Sequence, residues 1–152
     1  MAAEGGSLLT DTSDVAEHEQ WASGRMRWSL GALGDITWMV LPEARPFLVR
    51  HAKKELDSAL ERGTFLDVIL ESPIANHIGE LMLQGMGDLP AGTDLVRRCE
   101  TVMRRMFTVD EDWYQNMFRV EVFEYLLFRG WRPQLTELIP DTLAAVDHPD
   151  LP

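Results

Sequence analysis

The stretch DEDWYQNMFRVEVFEYLLFRG, residues 110–130, decides the fold class. It is the most apolar helix candidate in the chain, yet it carries Glu121 and Glu124 among its aromatics. Asp110 fits an N-cap, whose side-chain oxygen accepts from a free backbone N–H of the first turn. Glu111 and Asp112 then suit the positive end of the helix dipole. Val109 and Tyr114 stand where a hydrophobic staple would close across that cap. At 100° per residue, Trp113, Met117, Glu121, Glu124 and Phe128 share one arc of about 80° centred near Met117.

Glu121 and Glu124 are therefore i, i+3 neighbours on one face. Two adjacent carboxylates can bind a divalent metal or share a proton. A di-metal bundle needs further Glu-x-x-His pairs on other helices. Only His77 and Glu80 have that spacing, in the reverse order. The favoured alternative is structural. A carboxylate on a packed helix must be satisfied, so each glutamate is expected to accept from a neighbouring helix N-terminus or pair with Arg97, Arg104 or Arg119.

Working outward, LPEARPFLVRHAKKELDSALERG places Pro42 and Pro46 near a helix start, where a missing N–H costs nothing. Leu48, Ala52, Leu56 and Ala59/Leu60 form its apolar stripe, and Gly63 is a natural stop. Gly31 and Gly34 interrupt the periodicity before it, which predicts a short helix only over residues 35–41. After a short turn or helix to Glu71, Ser72 fits an N-cap and Pro73 the first position of the next helix. Ile74, Ile78, Leu81 and Met82 are its core face, and Gly85, Gly87 and Pro90 end it. In TDLVRRCETVMRRMF, Leu95, Cys99, Val102 and Met106 form one row, with Arg97, Arg98, Arg104 and Arg105 on the opposite arc. A last helix runs from about 133 to 139, or resumes over 141–146 after Pro140. No run alternates as a strand would. The expected fold is all-α: a compact bundle of four to five main helices, antiparallel or stacked like HEAT repeats.

The chain has 152 residues, 45% of them hydrophobic, enough for one domain with a substantial core. The expected layout is a flexible acidic leader over 1–24, one helical domain over 25–146, and a tail over 147–152. No apolar run is long enough to span a bilayer. The N-terminus lacks the basic start and apolar centre of a secretory signal. The lone Cys99 excludes an intramolecular disulfide, and its place in an apolar row makes it a buried, inert thiol. A cytoplasmic protein is expected.

The net charge is −11. Nine of the 25 acids lie in 1–24 and 133–152, where there is no Lys or Arg, leaving 16 acids against all 14 basic residues. The acidity is thus mostly terminal. It can steer a basic partner, but it argues against direct nucleic-acid binding, which needs a clustered basic surface. Paired-cysteine zinc motifs, H-E-x-x-H, a phosphate-cradling loop and G-x-S-x-G are all absent. No catalytic residue, metal or cofactor is assigned. His51 and His77 read as partly exposed structural histidines. The four arginines usually mean a solvated face, with an acidic partner patch or the acidic leader itself as the alternative. Trp21, Trp28 and Trp38 lie in less periodic surroundings and are candidate interface anchors.

From LPEARPFL through SPIANHIGELMLQG and RRCETVMRRMF to VEVFEYLL, the order of helices resembles a group of small bacterial all-helical proteins, some of them immunity-like. The likeness covers roughly residues 41–139 and lies in helix lengths and apolar positions. It implies a non-enzymatic protein that binds and occludes a partner toxin or effector, and it supplies no catalytic residues. The rival readings are a scaffold subunit of a larger defence or secretion assembly, and a small metal-dependent enzyme using Glu121 and Glu124 with His77 and Glu80.

Overall fold

The computed structural model describes residues 30–64, 66 and 68–152. The leader over 1–24, Trp21 and Trp28 lie outside the described residues. The described chain is all-α, with contacts clustered into two units: one ending at Glu71, the other Ser72–Pro152.

In the first unit, α1 (Gly31–Val40) is followed by a 3-10 turn (Pro42–Ala44) and α2 (Arg45–Arg62). Helix α1 starts four residues earlier than the glycines suggested: Gly31 opens it and Gly34 is buried inside it. Pro46 stands in the first turn of α2, where no intrahelical donor is required. At the other end Gly63 takes the left-handed conformation (φ 68°). Its N–H and that of Thr64 donate back to Leu60 and Ala59, closing the last carbonyls. Leu48, Ala52, Leu56 and Ala59 are buried as their spacing predicts, together with Leu33, Trp38 and Ile69.

His51 is buried rather than partly exposed, stacked on Phe47 one turn earlier at 5.6 Å. Its Nε2 donates to the carbonyl of Leu70 at 2.9 Å, and the Leu70 N–H donates to Glu55 at 3.1 Å. The described residues of the 64–71 stretch are irregular and not helical, so both polar groups of Leu70 rely on α2 side chains.

The second unit contains α3 (Ser72–Met86), α4 (Thr93–Phe107), α5 (Glu111–Phe118), a π-helical turn (Arg119–Phe123), α6 (Glu124–Phe128), α7 (Arg132–Leu138) and α8 (Pro140–Val146). The described residues of the two units together hold more than the four to five main helices expected, in large part for two reasons. The 110–130 helix is divided by its π turn, and Pro140 splits the last segment into two helices. Helix α3 packs on α4 and on the π turn, while α8 packs on α4 and α5. Cys99, Val102, Met103 and Met106 from α4 meet Phe118, Val122, Phe123 and Leu126 in a core closed by Leu135, Ile139 and Val146, all fully buried.

The π turn has a physical reason. Tyr114 and Phe118 start a buried stripe. An uninterrupted α-helix would continue it with Glu121, Val122, Tyr125 and Arg129, at i+3, i+4, i+7 and i+11 from Phe118. One extra residue in the turn hands the inward positions to Val122, Phe123, Leu126 and Leu127, which are buried. The cost of a wider turn is offset by replacing two charges and a phenol with hydrocarbon in the core.

Polar ties hold the C-terminal end. Thr142, fully buried, donates to Glu100 at 2.6 Å and accepts from Arg104 at 3.2 Å. Arg119 donates to the Val146 carbonyl at 2.7 Å. Arg132 makes two bonds to Asp147, at 2.8 and 3.0 Å, and one to the Pro152 carbonyl. The Arg132 hydrogen bonds hold the Asp147 carboxyl below its usual range, helped by the backbone N–H of His148. A lowered carboxyl pKa stabilises the fold above the unfolded value and is lost as pH falls through the folded one. Asp147→Asn is therefore expected to lower Tm at pH 7, with the gap to the parent closing below about pH 4. Thermal melts from pH 7 to pH 3 check this, and parallel curves would contradict it.

Candidate functional site: an acidic cleft beside an aromatic helix face

Asp110 caps α5 as its position predicts, accepting from the Trp113 N–H at 3.2 Å. Glu121 and Glu124 are not sequestered carboxylates. Both are half-buried, and no arginine pairs with either among the described residues. The expected partners are committed elsewhere or face outward: Arg119 to Val146, Arg104 to Thr142, with Arg97 exposed. Water reaches both glutamates, so the pairing expected from the sequence is not needed. Among the described residues no group of three His, Cys, Asp or Glu side chains is placed to hold a metal ion.

Of the expected arc, Trp113 and Phe128 are exposed, while Met117, Glu121 and Glu124 are half-buried. Trp113 is 58% exposed and Phe128 69%, with Val120 at 48% between them. Tyr125 is also exposed, and the Arg129 guanidinium lies over its ring at 4.1 Å. The α5–π–α6 segment thus leaves several large apolar side chains in solvent, with two half-buried carboxylates among them.

Beside this face a cleft of about 430 Å³ opens between α3 and the π turn. Asn76, Gly79, Glu80, Leu83 and Gln84 line it from α3, and Glu121, Val122 and Tyr125 from the other side. The α3 residues recur at helical spacing, so a single face of α3 forms the wall. Gly79 is buried at the seam, where even a Cβ would make only ordinary contacts, 3.4 Å from the Glu121 carbonyl and 3.5 Å from the Val122 Cα. His77 Nδ1 sits 3.0 Å from Glu80, which orients that carboxylate at the rim. No Lys or Arg lines the cleft.

The remaining candidates from the sequence are dispersed. Trp38 is 2% exposed, so it is a core residue of the first unit and not an anchor. Arg45 covers its ring at 5.0 Å and donates to its carbonyl. Its two glycine neighbours made the region look irregular, yet α1 forms and turns the indole inward. On α4, Arg97, Arg104 and Arg105 are exposed, and Arg98 pairs with Asp94 at 2.7 Å. No described helix is long and apolar enough to cross a membrane. No family model, curated protein or solved structure matches the chain.

Proposed function

We infer that this chain is a non-enzymatic interaction protein, an immunity-type inhibitor that occludes a partner toxin or effector in the cytoplasm. The observation that carries this reading is the solvent-facing row of Trp113, Val120 and Phe128 on the helix that builds the core of the second unit. A row of this kind on a rigid element is preorganised, so little ordering entropy opposes binding. Tryptophan and other aromatics are the usual anchors of protein interfaces. The net charge of −11 adds long-range attraction for a basic partner. The likeness of residues 41–139 to immunity-like helical proteins supports the same reading.

The test is affinity purification from the native host with parent and Trp113→Ala/Phe128→Ala baits. The parent is expected to retain a stoichiometric protein partner, and the double variant to lose it by a factor of about 100 at unchanged Tm. A chain that stays partner-free and monomeric would defeat the proposal. Self-association through this face would instead favour the scaffold-subunit reading.

A further inference from the structure

Resting on that reading, we propose that the cleft between α3 and the π turn is the specificity pocket of the interface. It receives a lysine or arginine side chain from a basic segment of the partner, while Trp113, Val120 and Phe128 cover that partner's apolar contacts. Three features select this occupant. The cleft's ionisable walls are of one sign, Glu80 and Glu121, with the amides of Asn76 and Gln84 supplying further acceptors. The apolar parts of its wall, Leu83, Val122 and the Gly79 backbone, suit the methylene stem that a lysine or arginine carries behind its charge. Tyr125 belongs to both surfaces, lining the cleft while 41% exposed, so the pocket and the aromatic row form one continuous contact area.

The π turn makes this pocket possible. An uninterrupted helix would direct Glu121 and Tyr125 toward the core, where an ionised carboxylate is costly. The extra residue leaves Glu121 at the cleft wall and half in solvent. There its charge is available to an incoming cation, and a partner's desolvated ammonium or guanidinium meets a preformed acceptor. Glu124, one turn on, does not line the cleft. It therefore serves as an internal control for general electrostatic attraction.

The probes are two amphipathic peptides of about five helical turns with identical leucine faces, one bearing lysines and the other glutamates on the opposite side. Each is titrated into the full-length isotope-labelled protein. The lysine peptide is expected to shift the amide signals of Gly79, Leu83, Val122 and Tyr125. Its affinity should fall at least about tenfold in Glu121→Gln and much less in Glu124→Gln. Equal losses in the two variants, or shifts confined to residues 1–24, would overturn the pocket in favour of diffuse charge attraction. Equal binding of both peptides at Trp113 and Phe128, with the cleft signals unmoved, would overturn the pocket while leaving the interaction reading intact. Concentration-dependent shifts of the cleft signals without peptide would assign the face to a second copy of this chain and also overturn it. Binding of neither peptide removes the pocket, and the host purification then decides the broader reading alone.

Discussion

Inserting one alanine after Val120 is expected to unfold the Ser72–Pro152 unit, whereas deleting Val120 is expected to leave it folded. The asymmetry follows from the π turn over Arg119–Phe123. An insertion rotates everything after it by about 100°. Val122, Phe123, Leu126 and Leu127, all buried, would leave the core. At about 2 kcal/mol for each side chain the loss approaches 8 kcal/mol, which is comparable to the whole stability of a small domain. A deletion within the wide turn does the opposite. It removes the extra residue, restores α-helical hydrogen bonding and keeps the four side chains in phase with Tyr114 and Phe118. Val120 is half exposed, so its loss forfeits little burial. Circular dichroism and urea denaturation of the two variants check this. If both unfold, or both survive, the register argument is wrong.

Gly92→Ala is expected to be the most damaging point substitution in the second unit. A Cβ at Gly92 would lie 1.9 Å from the Gly85 carbonyl oxygen and 2.6 Å from the Gly85 Cα. The obstacle is backbone, so no side-chain rotation relieves it. Gly85 is equally constrained, its Cβ meeting the Gly92 carbonyl at 2.8 Å and Val96 at 2.9 Å. The two glycines hold the end of α3 directly against the start of α4, and separating them would disturb Val96, Cys99 and Met103 behind. The expected cost is about 3 kcal/mol or more, a fall in Tm of more than about 10 °C. Gly87→Ala is the control. Gly87 has an ordinary φ and is exposed, and a change under about 1 kcal/mol is expected there. Thermal melts of the three variants would reveal a wrong assignment if Gly92→Ala and Gly87→Ala behaved alike.

Much of the fold was legible because periodicity and punctuation agree with tertiary packing over α2, α3 and α4. Leu48 to Ala59, Ile74 to Met82 and Cys99 to Met106 repeat at helical spacing, and all these repeats are buried. Caps were equally readable at Gly63 and Asp110, where one residue's chemistry determines one turn. Two things were not. The π turn cannot be seen in a 100° wheel, because its sole signal is a conflict: Glu121, Tyr125 and Arg129 fall where Val122 and Leu126 are needed. The Gly85–Gly92 contact depends on where two helices meet, which composition does not encode. The candidate site was half legible. The arc carrying Trp113, Glu121, Glu124 and Phe128 was drawn at 100° per residue, a register that the π turn interrupts, and its two aromatics face water where an apolar arc normally faces the core. The cleft was illegible, since it joins Asn76 and Glu80 to Glu121 and Tyr125 across some forty residues of chain.

The grip of His51 and Glu55 on Leu70 has a consequence for proteases. A cleaving enzyme must draw its substrate into an extended strand and supply its own hydrogen bonds to the backbone it cuts. Leu70 offers an exposed side chain that an enzyme would recognise, but its N–H and carbonyl are already taken by side chains of α2. The bait is displayed while the scissile backbone is withheld. Nicking at this point therefore waits on the loosening of two side chains, and its rate reports the stability of that clasp rather than the exposure of the loop.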